Sequence, residues 1–143
     1  MRLSAAQKPE TKLIEAVPSI LLILVAGIGD FVMATRAIRA VRKGHPNAAI
    51  HLLTSSEGAA FARRCHGVDR VFVFPIRELR GRRLPLGAFI RLLQELRRTR
   101  YDVAANLSPV GSLAGSARMA LLLGLLRARV KAGHSRGLMR FCL

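Results

Sequence analysis

The segment Ser19-Ile-Leu-Leu-Ile-Leu-Val-Ala-Gly-Ile-Gly-Asp30 constrains the chain more than any other, because six apolar residues from Ile20 to Val25 run without alternation into glycine and then a carboxylate. A strand with no polar positions must be covered on both faces, which is how parallel sheets are built. The glycines at 27 and 29 permit a tight turn. Beyond it, Asp30–Lys43 has helical spacing, with Val32, Ala37, Ile38 and Val41 as the expected buried face. Strand, turn and helix in this order place Asp30 at the carboxyl edge of a parallel sheet, the edge at which open α/β folds hold ligands. Asp30 is also the only acid between Glu15 and Glu57.

The same alternation recurs downstream. Strands are expected at Ile20–Val25, Ala49–Thr54, Arg70–Phe74, Val103–Leu107 and Arg129–Ala132, and helices at Asp30–Lys43, Glu57–Arg64, Leu86–Arg98 and Ser112–Leu123. His45-Pro46-Asn47 stops the first helix, and Ser108 to Gly111 reads as a turn. Phe89, Leu92, Leu93 and Leu96 line one side of the Leu86–Arg98 helix, whose other side is cationic. Strands alternating with helices of this length imply an α/β fold with a doubly wound, mostly parallel sheet. The expected organisation is a flexible polar arm over 1–18, one domain over 19–134, and a tail over 135–143 that is truncated or begins an interdomain connection, since it has neither a finishing helix nor a polar cap.

Composition narrows the function classes. At 143 residues and 51% hydrophobic content the chain is long enough for a real core and is not a disordered tail. Its longest charge-free apolar runs, 17–28 and 119–126, are shorter than the ~20 residues that span a bilayer. The leading residues lack the pattern of a signal peptide, so a cytoplasmic protein is expected. Cys65 and Cys142 belong to no metal-ligand pair and read as small buried hydrophobes, while His45, His51, His66 and His134 lack ligand spacing and read as turn and surface residues. No metal is expected. Twenty-four basic against eight acidic residues give a net charge of +16, and twenty of the cations are arginine, which grips phosphate and carboxylate in a fork. Arginine enrichment also follows from a GC-rich genome, and charge alone does not separate the two origins.

Gly27-Ile-Gly-Asp30 with Thr35, His45-Pro46 before Ile50-His-Leu-Leu-Thr54, Val68-Asp-Arg-Val71, and Leu96-Arg-Arg-Thr-Arg-Tyr-Asp-Val103 form an ordered set of landmarks over roughly residues 19–134. In order and spacing it resembles the amino-terminal half of the bacterial heptosyltransferases, glycosyltransferase family 9, which add heptose from ADP-heptose to the lipopolysaccharide core. The resemblance implies a Rossmann-like domain, the acceptor side of a two-domain inverting transferase of the GT-B type. A second, donor-binding half would take the nucleotide-sugar, ADP-heptose-like, as co-substrate without a resident cofactor. By motif position, Asp30 would be the general base that takes the proton of the acceptor hydroxyl, a role a carboxylate suits because an alcohol is a poor nucleophile until deprotonated. Gly27, Gly29, Thr35, Asn106 and Ser108 would contact substrate. The chain departs from the family at Leu24, where many members carry a basic residue, at Arg36 in place of proline, and at Asn106-Leu-Ser108, where many read Asp-Leu-Gln. An amide there donates and accepts hydrogen bonds but supplies no charge, which bears on the choice of acceptor.

From the residues themselves two readings of this turn stand open: Asp30 is the base or merely caps the helix, and the glycines either admit a ligand phosphate or only close a tight turn. A helix amino terminus favours the ionised carboxylate, and removal of water on domain closure opposes it. The partners expected are a lipid-linked oligosaccharide acceptor, a nucleotide-sugar held by a further domain, and peripheral contact with the cytoplasmic face of the inner membrane. The cations of the connector (Arg77, Arg80, Arg82, Arg83) and of the next helix (Arg91, Arg97, Arg98, Arg100) would meet phosphates or acidic sugars, or simply stay solvated. Alone, the chain lacks a donor site and is expected to be inactive. The competing reading is a stand-alone basic α/β domain that binds nucleic acid or anionic lipid, or an inactive fragment. Nucleic acid is the weaker partner, because tryptophan is absent and Tyr101 with six phenylalanines leaves few residues for base stacking.

Overall fold

A computed structural model describes residues 17–75, 86–108 and 113–133, apart from the side chains of 113–116 and 118. Most of the arm, the connector arginines, the turn at 109–112 and the tail lie outside these residues. The elements run β1 (Ser19–Leu24), α1 (Ile28–Gly44), β2 (Ala49–Ser55), α2 (Ser56–Ala62), β3 (Arg70–Phe74), α3 (Leu86–Arg98), β4 (Tyr101–Asn106), α4 (Leu113–Leu125) and β5 (Ala128–Ala132). The strands form one sheet in the order β3-β2-β1-β4-β5. Every neighbouring pair is parallel. The sheet grows outward from β1 through β2 and β3, and the chain then returns to lay β4 on the other side of β1. The switch point of this doubly wound fold therefore lies between β1 and β4.

The unbroken apolar run of β1 is explained by burial on both faces. Leu21 and Ile23 join Leu53, Phe72, Leu92, Leu96, Leu122 and Leu123 beneath α3 and α4. Ile20, Leu22 and Leu24 join Ile50, Leu52, Phe31, Ile38 and Ala62 beneath α1 and α2. Each fully buried leucine contributes about 1.5–3 kcal/mol of transfer free energy, so this strand anchors both layers.

The register of α1 departs from the sequence expectation. The helix starts at Ile28 rather than Asp30, and Phe31 and Ile38 are its buried residues, whereas Val32 is 58% exposed and Ala37 is on the outer side. Steps of 100° from Phe31 carry residues 34, 38 and 41 along the sheet-facing side, and Val32 falls beyond it. Strand β4 begins at Tyr101, earlier than its polar residues suggest, because the Tyr101 N–H bonds the Arg127 carbonyl at 2.9 Å.

At the amino edge of the sheet two aspartates act as staples. Asp69 Oδ2 accepts the Ile50 N–H at 2.7 Å and the Arg42 guanidinium at 2.6 Å. Asp102 Oδ2 accepts the Ser19 N–H at 2.9 Å, tying β4 to the start of β1. Arg42 also donates to the carbonyls of Gly67, Pro46 and Ala48, at 3.3, 3.0 and 2.8 Å. Gly67 has the only positive φ among the described residues, +112°, a conformation that favours glycine.

Candidate active site

Three strand ends converge at the carboxyl edge. Strand β1 leaves the sheet through Val25 and Ala26, and Gly27 is the N-cap of α1 with φ −71° and ψ 174°, backbone angles open to any residue. A Cβ added to Gly27 or Gly29 would meet no atom within 4 Å. Neither glycine is thus required by local conformation or by packing. The turn instead leaves bare backbone facing open space, with the first N–H groups of the helix beside it.

Asp30 occupies the first turn of α1 and is exposed. The N-cap of that helix receives no side-chain hydrogen bond. Among the described residues Asp30 is the one carboxylate that forms no hydrogen bond or ion pair: Asp69 and Asp102 are the staples above, Glu95 pairs with Arg70 at 3.9 Å, and Glu57 is also engaged. Capping therefore does not account for it.

The end of β4 lies against the exit of β1. The Ser108 hydroxyl accepts the Val25 N–H at 2.8 Å and donates to the Ile23 carbonyl at 3.4 Å, while the Leu107 N–H bonds the same carbonyl at 2.8 Å. Ser108 is 3% exposed and works as a strut between the two strand ends. Asn106, also 3% exposed, accepts the Ser108 N–H on Oδ1 at 3.0 Å, which fixes the orientation of its amide. Its Nδ2 is buried with no partner among the described residues. A buried amide donor left unmade costs about 1–3 kcal/mol.

On the other side of β1, Ser55 caps α2 by accepting the Gly58 N–H at 3.2 Å, and its hydroxyl donates to the Ala26 carbonyl at 3.0 Å. Thr54 Oγ1 is the second buried oxygen or nitrogen without a partner among the described residues. It presses on Gly58, where any Cβ would overlap it. Thr54 pairs in register with Leu24 and Asn106 with Ile23, so the two orphan groups flank the end of β1 on opposite faces.

The structure gathers Gly27, Gly29 and Asp30 on one turn and sets Asn106 and Ser108 beside the strand that feeds it. Thr35 is not brought into this group. Five residues beyond Asp30, it is about 7.5 Å farther along the axis and turned about 140° around it, and its hydroxyl donates to the Val32 carbonyl of its own helix. The sequence reading passed over Thr54, Ser55 and Gly58. The Ser55-Ser56 pair ahead of a helical stretch carried the capping signal.

Among solved structures, the chain superposes on a glycosyl transferase family 9 protein from Veillonella parvula with a TM-score of 0.66 and 18% identity, covering 83% of this chain and 33% of that one. It superposes on the E. coli heptosyltransferase WaaC, solved with ADP-2-deoxy-2-fluoro heptose, with a TM-score of 0.61 and 18% identity, covering 80% of this chain and 36% of that one. The same enzyme with ADP gives 0.61 and 17%, over 80% and 35%. The fold is shared with family 9 glycosyltransferases. The chain spans about a third of the length of these solved structures. No family model matches the sequence, and no curated protein matches it.

Among the described residues no three of His, Cys, Asp and Glu gather as a metal site, and no helix is long and apolar enough to cross a membrane. His51 is not a plain surface residue. It is half-buried, with Nδ1 2.9 Å from the Tyr101 hydroxyl and its ring edge-on to Phe72. Burial, reinforced by the Arg70 charge and opposed by Asp69, lowers its pKa, and burial raises that of Tyr101.

Proposed function

We propose that the chain is the acceptor side of a heptosyltransferase-like glycosyltransferase, in which sugar passes with inversion from a nucleotide-sugar, ADP-heptose-like, to a hydroxyl of a lipid-linked oligosaccharide in lipopolysaccharide core assembly. The observation that carries this reading is the partner-free Asp30 beside a glycine turn that neither strain nor packing requires. Asp30 is the general base: as the acceptor oxygen bonds to the anomeric carbon, its proton passes to the carboxylate and the nucleotide leaves with the bonding electrons. Gly27 and Gly29 let a polar substrate group approach the backbone N–H groups of α1, which favour negative charge. Asn106 offers its spare Nδ2 to the acceptor, Ser108 holds the edge on which that amide stands, and Thr35 lies farther along the helix wall. The donor is bound by a further domain, and no metal or resident cofactor takes part. Peripheral contact of the basic surface with the inner membrane would bring the site to its lipid-linked substrate.

The test is sugar transfer by a polypeptide in which this domain is joined to its donor-binding half. Asp30→Asn should lower kcat by about 10²–10⁴, the share a positioned base supplies, and leave the unfolding midpoint in place. Turnover equal to the unsubstituted protein would remove Asp30 from the chemistry.

A further inference from the structure

The opposite, amino edge of the sheet holds a concavity of about 450 Å³ between β4 and β5, lined by Arg100, Asp102, Leu126, Arg127, Ala128 and Arg129. Backbone pairing explains why the arginines converge. Tyr101 lies opposite Ala128 in register, so Arg100 and Arg127 enter adjacent strands side by side, about 4.8 Å apart. One step further, Arg129 on β5 stands opposite Asp102 on β4.

All three arginines are exposed, and none of their guanidinium groups forms a hydrogen bond or ion pair among the described residues. Two arginines elsewhere are engaged: Arg42 is bound to Asp69, and Arg70 sits over the Phe72 ring and faces Glu95. What sets Arg100, Arg127 and Arg129 apart from the other unpartnered arginines is that strand pairing brings them to one concavity. The one acid in the concavity, Asp102, accepts the Ser19 N–H and forms no ion pair with these arginines. Cations in the last turn of a helix are commonly explained by its dipole, which covers Arg97 and Arg98 at the end of α3. That explanation does not reach Arg129, which lies within a strand. Three exposed forks beside a single carboxylate, in a concavity lined also by Leu126 and Ala128, leave an excess of positive charge that suits an anion.

We infer that this concavity is a second binding site, separate from the carboxyl edge, which takes the phosphate or pyrophosphate group of a small ligand through Arg100, Arg127 and Arg129. The same group is carried by free phosphorylated metabolites and by lipid headgroups, which share the chemistry that the arginines recognise. The site stands independently of the transferase reading.

Inorganic tripolyphosphate is the probe, titrated into the protein at about 0.15 M salt, where long-range attraction is screened beyond about 8 Å. Binding should shift the backbone amide resonances of 100–102 and 126–129. The triple substitution Arg100→Gln, Arg127→Gln, Arg129→Gln should weaken it about tenfold or more, and the corresponding lysine triple, which keeps charge but not the fork, should weaken it by less. The charge-matched control, Arg36→Gln, Arg39→Gln, Arg64→Gln, removes three exposed cations elsewhere and should change affinity less than about twofold. Retained unfolding midpoints in each variant exclude a folding defect. Phosphatidylglycerol vesicles form the second arm: capture that free tripolyphosphate competes away, and that the glutamine triple loses, assigns the group to a headgroup, and no capture assigns it to a free ligand. Equal weakening by the pocket and control triples, or affinity unmoved by the pocket triple, would overturn the site.

Discussion

Both edges of this sheet present aspartates, and they use them in opposite ways. At the amino edge, Asp69 and Asp102 accept backbone N–H groups from β2 and β1, and Asp69 also holds Arg42, so these carboxylates are spent on architecture. At the carboxyl edge, Asp30 sits in an open first turn with no partner among the described residues. A chain with only eight acids among twenty-four cations could pair every one of them. Among the described carboxylates, Asp30 alone is left unpaired, beside two glycines that neither conformation nor packing requires. Thr54 Oγ1 and Asn106 Nδ2, buried without partners among the described residues, lie at the same edge, and each such group costs about 1–3 kcal/mol.

The contrast can be broken or sharpened by substitution. The largest effect on stability is expected at Arg42, whose guanidinium serves three carbonyls and Asp69 at once. Arg42→Ala should lower the unfolding free energy by about 3 kcal/mol, measured by urea denaturation. A loss below about 0.5 kcal/mol would mean that the amino edge is not held as described.

At the carboxyl edge, Gly58→Ala should cost about 2 kcal/mol, because the new Cβ overlaps Thr54 Oγ1 with the Phe31 ring and Ser55 hydroxyl close behind. That outweighs the gain of about 1 kcal/mol from alanine in a helix. The pair Thr54→Ala, Gly58→Ala should recover most of the loss. Additive costs in the double variant would place the strain elsewhere.

The smallest effect concerns His51. Its pKa is lowered in the folded protein by burial and then by Arg70, so the unfolded chain binds the proton first as pH falls. Stability is therefore full above the unfolded value of about 6.5 and declines as pH drops from there through the lower folded value. One such group contributes at most about 1.4 kcal/mol per pH unit. His51→Gln should flatten that part of the profile, and an unchanged slope would assign it to another group.

Much of this was legible in the sequence, for identifiable reasons. β3 and α3 fall where the periodicity sets them, at Arg70–Phe74 and Leu86–Arg98, and the unbroken Ile20–Val25 run announced a strand buried on both faces. The edge position of Asp30 followed from strand-turn-helix order alone. The outward turn of Val32 was not legible, because an apolar residue next to Phe31 fits the same face until the helix start is known. Nor were the staples: Asp69 and Asp102 bond backbone N–H groups nineteen and eighty-three residues away, and no local pattern reports a partner at that range. The recess between β4 and β5 was hidden similarly, since Arg100 and Arg127 meet only through strand pairing.

The central claim, that one edge spends its acid on structure and the other keeps it free, is tested most directly by comparing unfolding free energies of Asp30→Ala and Asp69→Ala under identical conditions. For Asp30→Ala the lost helix-dipole interaction, about 0.3–1 kcal/mol, is offset by the better helix propensity of alanine, so the net change should lie within about 0.5 kcal/mol of zero. Asp69→Ala should lose about 2 kcal/mol, since it strands the Ile50 N–H and frees Arg42. Equal destabilisation by the two substitutions would show Asp30 to be a structural acid and would contradict the account.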